Sequence, residues 1–338
     1  MSGQTTVEGT SWGVVLLADE PETLVLANLC WHLEQGAQEV HLYLDAPDSP
    51  AARAVMARAA ALPGIRITAC DKAFWRALNG ARPALQTRRQ TLIATQAYRQ
   101  SRTAWLLHLD ADEFLWLPKG RAFAQELAAA DTAAAFLALP NLERAYTRPE
   151  PLDLFEGVFR IPIPARAALP GALAHQAPFV ARGLPGHAGG KACTRTGLGA
   201  SLQPHAPRID GERPASVPAG EAVVLHFDGL TPLHWLIKLK RYAAHDPAQW
   251  ERFLAPHRRA QLAFMREHQG DARALHAFHD RLKQASPLPV LEAQGLVRRL
   301  AFDPVQALSL WLAQALDLSA EGFDAALRGD FPELSAGL

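Results

Sequence analysis

Trp105-Leu-Leu-His-Leu-Asp-Ala-Asp-Glu-Phe-Leu-Trp116 is an apolar run that ends abruptly in two acidic residues separated by one small one. Trp105, Leu106, Leu107 and Leu109 are too few for a helix and bulky enough for a core strand, with the chain turning from Asp110. Such a strand delivers carboxylates to its own C-terminal tip, which in open α/β sheets is where ligands bind. Asp110 and Asp112 flank Ala111, so both can reach one hard cation, which prefers oxygen ligands and accepts phosphate oxygens to complete its shell. A surface turn or a helix cap is the plainer use of Asp-x-Asp. Glu113 completes the candidate catalytic set with Asp110 and Asp112. If strand alternation persists its side chain points the other way, which suits hydrogen bonding to the loop.

Upstream, Trp12–Ala18 reads as a strand broken by Asp19-Glu20-Pro21-Glu22, and Thr23–Gln35 shows helical spacing of Leu24, Ala27, Leu29, Trp31 and Leu33 before Gly36 stops it. Val40–Leu44 is a second strand closed by Asp45, Pro50–Ala61 an Ala-rich helix, and Ile65–Cys70 a third strand. Alternation of strand and helix predicts parallel pairing with right-handed crossovers. Phe74-Trp75 and Pro83 mark an irregular segment before a helix over 86–101. Arg88, Arg89 and Gln90 sit in its first turn, where a solvated face is the simplest expectation.

Downstream, a helix over 121–130 and a strand over 133–139 are followed by a Pro- and Gly-rich stretch, 146–222, without helical periodicity. Its densest part, Gly183–Gly197, reads as a flexible loop, although glycines let backbone N–H groups approach phosphate and Lys191 adds a point charge. It is not a Walker A loop, because Gly190-Lys191 is followed by Ala192 and no helix pattern. Val223–Phe227 is a short strand leading into a helix over 232–244 with Lys238, Lys240 and Arg241. From Trp250 on the pattern is helical, with pieces around 258–267, 272–284 and 305–316, and His276 and His279 read as surface residues.

Lys plus Arg and Asp plus Glu both number 34 in 338 residues, a balance that argues against nucleic acid or an anionic membrane as the main partner. Cys30, Cys70 and Cys193 lie far apart with no Cys-x-x-Cys spacing, which suggests neither a disulfide framework nor a zinc knuckle and fits a reducing, cytoplasmic setting. Met1–Thr10 is polar, without the basic and apolar parts of a secretion signal, and no apolar run has the length to cross a bilayer. A soluble protein is expected.

Asp110-Ala-Asp-Glu-Phe114 directly after a Trp-led strand resembles the Asp-x-Asp motif of nucleotide-sugar glycosyltransferases of the GT-A fold, in particular bacterial family 2 members and their family 92-like relatives. The likeness extends over about residues 12–245. Family members carry a Lys near a strand end, then a His in a Pro- or Gly-bearing loop, then His-Tyr or His-Phe leading into a Lys-bearing helix; Lys191, His205, His226-Phe227 and Lys238 match that order. A Gln or Arg is common near Gln90. The first loop departs from the family, with Asp19-Glu20 where an Asn- or Arg-Glu pair is usual, and the Glu-Trp expected early in the first helix is missing. Asp19 is left to contact a uracil or guanine edge. The resemblance implies an α/β fold with a GT-A type nucleotide-binding mixed sheet flanked by helices in residues 1–250, and a C-terminal helical extension in 251–338.

It also implies transfer of a sugar from a UDP- or GDP-sugar donor to a saccharide or other hydroxyl acceptor, with inversion favoured. Charge developing on the leaving diphosphate is then the largest demand, met by Mn²⁺ or Mg²⁺ on Asp110 and Asp112 with His226 as the third ligand by family likeness and His205 as its substitute. Asp19, Asp45, Gln90, Lys191 and Lys238 form the substrate-binding set. A buried strand histidine satisfied by backbone is the structural alternative for His226. The general base is open among Glu143, Asp153, Glu156 and Asp210. A metal-dependent nucleotidyltransferase or phosphohydrolase would use the same acidic tip, and a non-catalytic saccharide- or protein-binding member would keep the fold alone.

Overall fold

Four apolar runs of the sequence, Trp12–Ala18, Glu39–Leu44, Ile65–Ala69 and Trp105–His108, pair as parallel strands in a computed structural model that describes residues 10–149, 151 and 153–338. Residues 1–9, which carry the expectation about a secretion signal, lie outside the described residues. Trp105–His108 lies beside Trp12–Ala18, then come Glu39–Leu44 and Ile65–Ala69. The first two strands in sequence are buried along their whole length, because helices cover both faces of a parallel sheet; that is why their apolar residues run on without alternating. Ile65–Ala69, at the sheet edge, is half-buried.

The crossovers follow local chemistry. Pro50 opens the Pro50–Ala59 helix, whose second N–H past it is taken by the Ser49 hydroxyl at 3.0 Å. The segment around Phe74-Trp75, expected to be irregular, is a helix, Lys72–Asn79. The Asp71 carboxylate accepts the Phe74 N–H at 2.7 Å, Gly80 ends the helix with φ 80°, and Trp75 enters a core with Tyr43, Ile93 and Tyr98.

Beyond Trp105–His108 the sheet changes direction. Lys191–Arg195 is antiparallel to it, Phe136–Leu139 is antiparallel to Lys191–Arg195, and Ser216–Pro218 completes seven strands. The end of the glycine-dense stretch, expected to be a flexible loop, is therefore a core strand. Gly190 enters it with φ 64°, and a side chain there would collide with the Leu139 carbonyl, so close backbone approach explains that glycine without invoking phosphate. The result is a mixed seven-stranded sheet flanked by helices, with further helices toward the C-terminus.

Contacts divide the chain into two compact units. The first is the described chain up to Pro140 with Gly189–Val224 and Asp303–Leu316; the second is Asn141–Ala188, Leu225–Phe302 and Asp317–Leu338. These units cut across the 1–250 and 251–338 segments named from sequence. In the first, the Pro304–Trp311 helix packs on the Glu22–Glu34 helix. In the second, Pro232–Ala243, Pro256–Glu267 and Ala272–Lys283 share a core of Trp235, Leu239, Leu262, Met265 and Phe278. His276 is exposed as expected, but His279 is buried, its ring against Tyr146 and Trp235. Among the described residues no helix is long and apolar enough to cross a membrane.

Candidate functional site

The acidic tip of the central strand lies in the first unit and is already tied by an internal cation. The Lys191 ammonium, on the neighbouring antiparallel strand, is wholly buried and lies 2.9 Å from Asp110 Oδ2 and 2.6 Å from Glu113 Oε2. Gln90 Nε2 donates to Asp110 Oδ1, and the Asp110 N–H donates to Glu113 Oε2 at 2.8 Å. Burial works against the Asp110 charge, but Lys191 wins and holds the carboxyl below its ordinary range. Burial likewise works against the ammonium, and Asp110 and Glu113 raise its pKa above the usual lysine value. Both Asp110 oxygens therefore have donors, and the charge of Lys191 is matched inside the unit and sealed from solvent. Asp112, 3% exposed, is the other carboxylate of the motif.

The turn is held from behind by the first helix. Asn28 Nδ2 donates to the Ala111 carbonyl at 3.0 Å and the Glu113 carbonyl at 2.8 Å, on either side of Asp112. His32 Nε2 accepts the Leu115 N–H at 3.1 Å, and Trp31 Nε1 donates to the Leu115 carbonyl at 2.6 Å. With Nε2 accepting, Nδ1 carries the proton and donates toward the Asn28 carbonyl oxygens at 2.8 and 2.9 Å. Burial pushes the His32 imidazole down to about 4, which keeps it in this neutral form.

At the tip of the second strand, Asp45 is buried under two guanidinium groups, with Arg82 at 2.8 Å and Arg89 at 2.9 Å. Arg89 and Gln90 are buried, so of the three first-turn residues only Arg88 keeps the solvated position expected of them all. Asp45 and Arg82 line a cavity of about 950 Å³ with Asp48, Asp71 and Trp75, at the carboxyl ends of the second and third strands. Asp19, at the end of the first strand, is half-buried. His205 Nδ1 is 2.9 Å from the Gly190 carbonyl.

The second unit holds a buried charge cluster for which the sequence analysis named only some members. Asp228 lies 2.8 Å from Lys283, 3.0 Å from Arg258 and 3.7 Å from Lys238, and accepts from Trp235 Nε1 at 3.2 Å. Burial opposes its charge, yet Arg258, Lys283 and Lys238 hold it well below the carboxylate range. Glu143 faces Lys283 at 2.9 Å and takes the Gly186 N–H at 2.7 Å. Burial again opposes, but Lys283 and His226 bring Glu143 down to about 2. Of the four candidate bases, Glu143 is thus the one held in an internal ion pair with Lys283. Asp153 accepts the Phe155 N–H at 2.8 Å, Glu156 pairs with Arg148 at 2.8 Å, and Asp210 occupies a left-handed turn at φ 50°. His226, buried, sits 3.7 Å from Glu143 with its ring 4.7 Å from that of His187. Gly186 is required here, since a side chain would collide with Glu143 and His226.

Asn28, Asp228, Arg258 and Lys283 were missed from sequence. Asp228-Gly229 after a His-ended strand was a usable signal for one of them; the others are joined only by long-range contact.

No protein-family model matches this chain, and no curated protein matches it either. Among solved structures, Staphylococcus aureus TarS residues 1–349 aligns with 97% of this chain and 90% of its own at 12% identity and a TM-score of 0.32. The same protein in complex with UDP gives 12% identity, the same coverage and a TM-score of 0.31. HddC from Yersinia pseudotuberculosis aligns with 63% of this chain and 76% of its own at 9% identity and a TM-score of 0.28.

Proposed function

We propose that this protein is a GT-A type glycosyltransferase that moves a sugar from a nucleoside-diphosphate sugar to a hydroxyl acceptor, using Mn²⁺ or Mg²⁺. The observation that supports it is the pair Asp110 and Asp112 at the carboxyl end of the central parallel strand, with Asp112 buried and Asp110 held in place by Lys191 and Gln90. The donor chemistry fits a hard cation, since a carboxylate is its preferred ligand and diphosphate oxygens complete the shell. A bound divalent ion supplies Lewis-acid stabilisation of charge on the leaving diphosphate.

The chain's own residues divide the remaining work. Asp110 and Asp112 hold the cation, Asp110 through lone pairs left beyond its bonds to Lys191 and Gln90, while Glu113, which accepts the Asp110 N–H, sets the shape of the turn. Asp45 meets the nucleoside from the wall of the cavity of about 950 Å³ at the tips of the second and third strands, which has room for it, and Asp19 contacts it from the tip of the first. Gln90 and Lys191 serve the donor through Asp110 in this reading. Lys238 offsets phosphate charge, and His226 is the proposed nitrogen ligand. Asp153, Glu156 and Asp210 are the proposed bases.

Calorimetric titration of UDP and GDP with and without Mn²⁺ tests this reading. Diphosphate should bind with the ion and much less without it, and Asp112→Asn should fold normally yet lose donor hydrolysis about a hundredfold, the scale of deleting a key transition-state stabiliser. Preference for triphosphate over diphosphate would move the assignment to a nucleotidyltransferase, and failure of every nucleotide to bind would leave a non-catalytic fold.

A further inference from the structure

The Asp-Ala-Asp turn is closed by its own bonds, the Glu113 N–H on the Asp110 carbonyl at 3.1 Å and the Asp110 N–H on Glu113 Oε2 at 2.8 Å, and is gripped a second time from behind. It makes a sharp exit from one strand, Trp105–His108, and enters another at Glu113, with residues 111 and 113 both buried. Both of their carbonyls are taken by one amide, Asn28 Nδ2, at 3.0 and 2.8 Å, which spends its two hydrogens on the two sides of Asp112. One turn further along the same helix, Trp31 and His32 grip both backbone groups of Leu115. Residues 28, 31 and 32 stand at i, i+3 and i+4, hence on one helix face, and together they anchor 111, 113 and 115. Asn28 and His32 are fully buried in a helix whose neighbouring positions are otherwise apolar, and a polar pair in such a place is destabilising unless fully bonded.

We propose that Asn28 and His32 are positioning residues for Asp112, which fix the backbone on both sides of the carboxylate so that it meets a divalent cation in a single geometry. This rests on the assignment of Asp112 as a cation ligand. The two act as one unit: His32, through its Nδ1–H, orients the Asn28 carboxamide, and Asn28 then presents its N–H₂ rather than its oxygen to the two carbonyls. Groups that orient a ligand from behind alter metal affinity about 10–100-fold when removed, without touching the metal.

The test compares Mn²⁺ affinity by calorimetry for the full chain as wild type, His32→Leu, His32→Gln and Asn28→Ser, with hydrogen exchange of the Leu115 amide measured in metal-free protein. His32→Leu and Asn28→Ser should weaken Mn²⁺ binding about 10–100-fold, and His32→Gln, whose side-chain oxygen can still accept the Leu115 N–H, should recover most of the affinity and of the amide protection. If His32→Leu fails to fold, Asn28→Ser against His32→Gln decides the question. Variants that bind Mn²⁺ like wild type, even with a lowered melting temperature, overturn the positioning role and leave the function standing. Absence of Mn²⁺ binding in wild type overturns the functional reading and this role with it.

Discussion

Replacing Lys191 with Met removes an ammonium whose side chain is wholly buried and lies 2.9 Å from Asp110 and 2.6 Å from Glu113. At an effective dielectric of about 20, each contact is a Coulomb attraction of about 6 kcal/mol. Much of that is offset by taking the ammonium out of water, so its net worth is far smaller than the sum. The variant, however, leaves the two carboxylates without the ammonium that faces both, and breaking a buried pair from one side costs about 3–5 kcal/mol. Urea unfolding in the presence of a chelator should show that loss. Glu113→Gln keeps an oxygen for the Asp110 N–H, now 2.8 Å from the carboxylate, while deleting one negative charge. Combined with Lys191→Met it should recover part of the stability, a coupling of about 1–3 kcal/mol. A Lys191→Met loss below about 1 kcal/mol, or strictly additive single and double variants, would refute the view that Lys191 is the internal cation of the turn.

Two further predictions concern histidines of the second unit. Burial pushes His279 down to about 4 from an ordinary 6.5, overriding its 3.1 Å contact with the half-exposed Asp280. A base of lowered folded pKa is protonated first in the unfolded chain, so its share of stability is full above pH 6.5, falls as pH drops toward 4 and is constant below that. That share is about 3 kcal/mol at most; His279→Phe, which keeps a ring beside Tyr146 and Trp235, should flatten the slope of urea stability against pH over that window, and an unchanged slope would count against burial as the cause. His226→Ala should weaken Mn²⁺ binding with little change in melting temperature, whereas a drop in stability at unchanged Mn²⁺ affinity would make His226 a packing residue and turn attention to His205.

How far the sequence spoke depended on whether the deciding interaction was local. Trp12–Ala18 is bounded in the structure as read from sequence, because a strand buried on both faces is a contiguous apolar run and Asp19-Glu20-Pro21 ends it by its own chemistry. The Lys72–Asn79 helix is equally local, with an Asp71 cap and a Gly80 stop in the sequence, although Phe74-Trp75 and Pro83 read as an irregular segment. Lys191–Arg195 is a different case. Its composition, glycines followed by a lysine, describes a loop; it becomes a core strand because Asp110 and Glu113, about eighty positions earlier, neutralise the lysine, and because Gly190 lets the chain pass against Leu139. The same holds for Asn28, a polar residue inside an apolar helix, whose purpose exists only once Ala111 and Glu113 are beside it. Thus the acidic motif was legible as a motif, but the division of labour inside it was not: two aspartates of identical chemistry differ because Gln90 and Lys191 converge on Asp110. A variant series that separates Asp110 from Asp112 reads what those two contacts contribute: Asp110→Asn should lower urea stability by weakening the ties to Lys191 and Gln90, and an unchanged stability would count against them.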